Sequence, residues 1–159
     1  MGKPVPEGAA GTARPDARTA AIFLARLTLG LIFFMAGWWK VFELGPLEHA
    51  RRLFVEPYAK TFLPVWSLWI TGATIPIMEL VAGGLLLIGL RTRAALYTLG
   101  AVLVLVTFGH LVRDPLYEFH THVIPRLTLL LFVLVMPSQE DRVSVDYWMA
   151  LRSRGQHRS

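Results

Sequence analysis

The sequence predicts an all-α integral membrane protein: a four-helix transmembrane bundle with short interfacial helices in its first loop and at its C-terminus. Three observations lead there. Hydrophobic residues make up 54% of the 159 and charged residues only 17%, where ordinary soluble domains hold roughly half and a quarter. Four apolar stretches approach the roughly 20 residues that a helix needs to cross the hydrocarbon core. The basic excess, a net charge of +5, sits at the ends of those stretches and not on one face, so no nucleic-acid surface is expected. With no cysteine in the chain, disulfides, thiolate metal sites and a cysteine nucleophile are excluded.

The elements follow in order. Residues 1–18 are Gly-, Pro- and Ala-rich without a period and read as a disordered cytoplasmic tail. The spans are expected at 20–39, 69–90, 94–112 and 119–136. The first is followed by no small-x-small cleavage pattern and reads as a retained span. The fourth carries His120, His122 and Arg126 in its first residues. Its wholly apolar part, 127–136, is too short to cross alone, so those polar residues are expected to be drawn in, the alternative being three spans and a re-entrant piece. Leu90, Arg91, Thr92 and Arg93 form a tight turn between the second and third spans. The loop 41–68 holds Pro46 at a helix start, then Leu47, Ala50, Leu53 and Phe54 at helical spacing beside Arg51 and Arg52, the pattern of a helix lying at the interface. Residues 144–152, with Tyr147, Trp148 and Leu151, read the same way. The membrane domain is thus 19–147, with a basic cytoplasmic tail at 148–159.

Basic residues outside the spans orient the bundle. Lys3, Arg14, Arg18, Arg91, Arg93, Arg142, Arg152, Arg154 and Arg158 fall on one side. Lys40, Arg51, Arg52, Lys60 and Arg113 fall on the other. The richer side is expected in the cytoplasm, with both termini, as in a bacterial inner membrane. Trp38, Trp39, Trp66 and Trp69 then mark the outer interface, and Tyr147 and Trp148 the inner one.

Charges at membrane depth cost roughly 2.5–3.5 kcal/mol each on insertion scales, so each needs a reason. Arg26 lies about 9 Å from the inner end of its span, Glu79 about 16 Å and Arg126 about 15 Å, at 1.5 Å per residue. Each shares a stripe with small or apolar residues: Arg26 with Gly30, Phe33, Gly37 and Lys40; Glu79 with Gly72, Pro76, Gly83 and Leu86; Arg126 with His122, Leu129 and Val133. The third span contributes Gly100, Leu103, Thr107 and His110. The seams are expected to enclose a polar centre in which Arg26 and Arg126 face Glu79. That centre is either an ion-pair knot that fixes helix register or a site for an anionic or carbonyl-bearing ligand. In the second reading Glu79, Arg26 and Arg126 carry the chemistry. Arg26, Gly30, Gly37, Lys40 and Gly83 line the ligand, the glycines leaving it room. A second cluster, His110, Asp114, His120 and His122, has metal-ligand chemistry but no recognised spacing, and no metal is expected.

Pro76 to Arg93 reads P-I-M-E-L-V-A-G-G-L-L-L-I-G-L-R-T-R and resembles the P-x-x-E-L-x-x-G-x-x-L-x-x-G-L-x-T-R run of the DoxX/DoxD family of small four-span membrane proteins. R-L-T-L-G-L at 26–31, G-W-W-K at 37–40 and R-V-S-V-D at 142–146 are similar to further family signatures. The resemblance covers about residues 20–147. In two places the chain departs from the family: it has Ala36 where His is frequent, and Arg126 where span four often carries an acid. The resemblance implies a four-helix bundle and a quinone-linked redox subunit, as in thiosulfate:quinone oxidoreductase. Quinone is then the expected cofactor, with a soluble or membrane redox partner. The rival class is a non-catalytic scaffold or assembly factor docking a partner through the loop 41–68; homo-oligomers fit either.

Overall fold

A computed structural model describes residues 17–116 and 118–156. The expected N-terminal tail lies outside the described residues except for Ala17 and Arg18, which open the first helix. Among the described residues every regular element is helical. The long helices are α1 (Ala17–Trp38), α4 (Val65–Ile88) and α5 (Thr92–Arg113). α1 runs on through a π-helical stretch, Trp39–Leu44, to make a 28-residue span. These three are long and apolar enough to cross a membrane.

The fourth apolar helix, α6 (Val123–Val135), has 13 residues, about 20 Å at 1.5 Å per residue and short of the core thickness. The expected span from residue 119 is corrected here: His120 and His122 lie in a turn before the helix. Pro125, the third helical residue, needs no N–H partner in the first turn and so fits where the helix begins.

Between α1 and α4 the chain forms the expected short helices: α2 (Pro46–Ala50), a π-helical stretch Arg51–Val55, and α3 (Glu56–Tyr58). Pro46 stands in the first turn of α2, as its fixed φ favours. The C-terminal α7 (Val145–Gln156) is likewise present.

The centre is apolar. Leu29 and Phe33 of α1, Ala82 and Leu86 of α4, Leu96, Leu99 and Leu103 of α5, and Leu130 and Val133 of α6 form one buried cluster. α1 and α4 approach most closely because glycines line their seam. A Cβ on Gly37 would fall on the Leu80 backbone, and one on Gly83 would lie 2.5 Å from the Phe34 nitrogen. Gly30 meets Leu87. The stripe that joins Gly30, Gly37 and Gly83 therefore faces inward as expected, but a neighbouring helix fills it. These glycines serve close helix approach in lipid and leave no room for a ligand.

α4 ends in a Schellman turn: the Leu90 N–H donates to Leu85 O at 3.0 Å and the Gly89 N–H to Leu86 O at 3.2 Å, with Gly89 at φ 70°. Asp146 then clasps the turn. Its Oδ1 accepts the Arg91 N–H and its Oδ2 the Thr92 N–H, each at 2.8 Å, and its own N–H donates to Gly89 O. Arg91, at φ 47°, is thereby held in the left-handed region that a side chain rarely adopts. The G-L-R-T-R and R-V-S-V-D runs, far apart in sequence, are two sides of one joint.

Candidate functional site

The buried charges separate into two groups at opposite ends of the bundle. At the turn end, Arg26, 1% exposed, sets Nε 2.8 Å from Asp141 Oδ2. Its Nη1 donates to Leu86 O and, at 3.2 Å, to Leu87 O. Arg26 thus caps carbonyls at the C-terminus of α4, where a cation also suits the helix dipole. The sequence reading sent this side chain up toward Glu79. It instead runs to the C-terminal end of α4, where it stays buried. Burial pushes the Asp141 carboxyl up from the usual carboxylate range, and Arg26 beside it pulls the other way.

At the loop end, Glu79 is 5% exposed and takes Lys40 as its partner, Nζ to Oε2 at 2.5 Å. Lys40 lies in the π-helical stretch that ends the first span; such stretches re-aim side chains and recur at functional sites. Glu79, Lys40 and Arg126 all border one cavity of about 490 Å3. Arg26 does not, so the expected three-residue centre loses Arg26 and gains Lys40 as the carboxylate's partner.

The cavity is walled by Phe33, Ile75, Val102, Leu103 and Val106 of the long helices. Phe54, Pro57 and Leu63 of the loop segment border it as well, so that segment forms a roof. The roof is held down at two points. A Cβ on Gly72 would lie 2.6 Å from Ala50 Cα, so only glycine lets α2 sit on α4 here. His49, 2% exposed, donates from Nδ1 to Gly72 O at 2.7 Å, because a carbonyl can only accept. In the neutral ring Nε2 is then an acceptor. Burial pushes the His49 pKa down, with Lys40 adding to the effect, against the raising pull of the Gly72 hydrogen bond and Glu79.

Sequence reasoning missed His49 altogether. The available signal was its helical spacing among Leu47, Ala50, Leu53 and Phe54, on a segment read only for its interfacial pattern. Outside, the roof carries an ion-pair chain in which Glu48 binds Arg51 and Arg52, and Arg51 binds Glu56. The two arginines hold the Glu48 carboxyl down at about 2.

The cavity is rich in cations. Arg126 lies over the Phe33 ring, 5.8 Å from its centroid, and Arg113 borders the same space. Among the described residues neither has a carboxylate within ion-pair reach. His110 and His122 also line the cavity, whereas Asp114 and His120 do not; His120 faces Glu118 at 3.8 Å. Among the described residues no group of three or more His, Asp or Glu gathers as metal ligands would. One carboxylate already holding Lys40, two further guanidinium groups and an apolar wall together suit a partly apolar ligand with carbonyl or anionic oxygens.

The model of the methylamine utilisation protein MauE family matches residues 18–113, more than half of the chain and all of the segment from α1 to α5, with the roof, Lys40 and Glu79 inside it. No curated protein and no solved structure matches the chain.

Proposed function

The chain belongs to the MauE family, and on that premise we propose that it is a membrane subunit of a quinone-linked redox system whose roofed cavity holds the quinone head group. The observation that carries this reading is the pair of guanidinium groups, Arg113 and Arg126, that have no carboxylate partner among the described residues and border an apolar cavity of about 490 Å3. That volume lies within the usual range for small-molecule sites. A planar donor fork suits a carbonyl oxygen, and Phe33 and Ile75 suit the ring. When bound, a quinone supplies an acceptor of two electrons and two protons. The chain's own residues would bind and orient it, keep water away beneath the roof, and present N–H protons at Lys40 Nζ, which Glu79 Oε2 orients, and at His49 Nδ1.

The chain carries no cysteine and so no thiol or thiolate-held redox centre of its own; electrons are assigned to a partner redox protein. The outward ion-pair face of Glu48, Arg51, Arg52 and Glu56 favours the roof as its docking side, which keeps the scaffold reading as the second one. The DoxX-like run 76–93 falls inside the family match and supports the same class. Methylamine, whose utilisation gives the family its name, is cationic at neutral pH. A cavity whose cations outnumber its carboxylate disfavours it, so the proposed role in such a process is that of an accessory subunit.

Quinone extracted from the purified, detergent-solubilised protein tests the reading. Near-stoichiometric quinone supports it; a quinone-free preparation that also fails to bind added quinone overturns it. The proposed orientation, termini in the cytoplasm of a bacterial inner membrane, predicts that Glu56→Cys reacts with an impermeant thiol reagent in intact cells and Ser138→Cys does not.

A further inference from the structure

A second cavity, of about 390 Å3, lies at the turn end, between the N-terminus of α5, the C-terminus of α6 and the segment leading to α7. Its polar lining includes Arg91, Thr92, Arg93 and Asp141, and its floor is Ile22, Leu96 and Val133. Asp146 is already committed to two backbone amides. Arg91 and Arg93 have no carboxylate partner among the described residues. Two buried polar atoms on the lining residues have no hydrogen-bond partner: Thr92 Oγ1 and Asp141 Oδ1. Asp141 is 5% exposed, and its other oxygen faces Arg26. An orphaned buried acceptor is costly, so it calls for a donor from elsewhere. Positive charge at the rim, the first turn of a 22-residue helix, a buried carboxylate with one orphaned oxygen on the lining and an apolar floor lie together at the turn end of the bundle, between the end of α6 and the start of α5.

We propose that this cavity binds the head group of a single aminophospholipid. Its phosphate sits between Arg91, Arg93 and the Thr92 hydroxyl, its ammonium donates to Asp141, and its glycerol and first methylenes lie on the apolar floor. This site is separate from the roofed cavity and does not depend on what that cavity holds. A bound lipid would tie the joint between α5 and α7 to the membrane.

The test uses the full chain in detergent, with native mass spectrometry as the readout. Phosphatidylethanolamine and phosphatidylcholine of identical acyl chains are compared, because the second keeps the phosphate and positive charge but has no N–H donor. One retained phosphatidylethanolamine per chain, preferred about tenfold, is expected from one charge-assisted hydrogen bond. Arg91→Gln with Arg93→Gln should abolish the retention without lowering the melting temperature, since both side chains are exposed. Arg142→Gln, an exposed arginine at the same end that does not line the cavity, should leave it intact. Equal retention of the two lipids overturns the proposal even if the double variant fails to fold. So does an equal loss in Arg142→Gln, which would mean diffuse surface charge. Displacement of the lipid by millimolar inorganic phosphate would show that free anion is the ligand, and overturns it as well.

Discussion

At the turn end Arg26 faces Asp141 and two helix-terminal carbonyls; at the loop end Arg126 faces a phenyl ring and a cavity. Both are arginines at the depth of the spans, and sequence alone gave them the same standing. The difference lies in what surrounds the guanidinium. Arg26 has a carboxylate and two helix-terminal carbonyls beside its guanidinium, and an opposite charge at contact is how a buried charge is made tolerable. Arg126 keeps donors available beside empty space and has no carboxylate among the described residues. A buried cation with a carboxylate at contact is evidence of structure, and one beside a cavity with no carboxylate is evidence of a site.

The largest expected effect follows from the ion-paired turn end. Asp141→Asn or Arg26→Met leaves a buried charge unpaired and should destabilise by about 3–5 kcal/mol. Arg26→Met with Asp141→Leu should recover much of that loss, measured as melting temperature in one detergent. Quinone content per folded chain should not change in any of the three. A fall in quinone content without a fall in stability would break the comparison by placing Arg26 in the binding site after all.

The next effect is read at the other end. Arg126→Gln removes the guanidinium but keeps a polar side chain. Bound quinone should fall about tenfold, the worth of one charge-assisted hydrogen bond, while the melting temperature stays near that of the unaltered protein. Lowered stability with unchanged quinone would make Arg126 another structural cation and remove the contrast between the two ends.

How far these ends could be read from sequence depends on what sets each feature. Helix existence was legible: α4 and α5 fall within a few residues of the expected spans, because apolar length alone fixes them. The inward faces were legible for α1 and α4, where Gly30, Gly37, Gly83 and Glu79 line one seam each. On α5 and α6 the buried positions Leu99, Val102, Leu130 and Val133 only partly coincide with the expected stripes, since α6 has no glycine and Gly100 of α5 makes no close backbone approach. Partner choice was illegible. Asp141 lies beyond the last apolar helix, and Lys40 was read as a ligand contact. Which cation met Glu79 depended on a π-helical stretch that no periodicity announces. The glycines' role was misread for a similar reason: a small residue beside a charge signals close approach, and only the fold shows whether a helix or a ligand makes that approach.

A smaller effect concerns the roof. The His49 pKa is lowered in the folded chain, so the neutral ring is the folded form. That contribution is present above the unfolded value of 6.5 and is lost as pH falls through the lowered folded value. Hydrogen exchange of the α2 amides should therefore show less protection, relative to α4, as pH drops below 6.5. His49→Gln keeps a donor for Gly72 O and cannot titrate, so its α2 protection relative to α4 should be independent of pH in that range. An identical acid response in His49→Gln would mean that another group unlocks the roof.

The smallest effect belongs to the roof's outer face. Arg51 and Arg52 hold the Glu48 carboxyl at about 2 in place of its ordinary 4.5. A depressed acid stabilises above its unfolded value and loses that contribution as pH falls, here between about 4.5 and about 2. At neutral pH the ion pairs are complete, yet they are exposed to water and to salt, whose screening length is about 3 Å at 1 M. Glu48→Gln should therefore move the melting temperature at pH 7 by no more than about 2 °C, and 1 M salt should bring the two proteins still closer. Quinone retention should be unchanged, since Glu48 does not line the cavity. The informative comparison is with Arg126→Gln under identical conditions. If Glu48→Gln released as much quinone as Arg126→Gln, the ion-pair face would be holding the roof closed over the ligand. The boundary between site and scaffold would then run outside α2 and not, as the geometry places it, between Arg126 and the solvent.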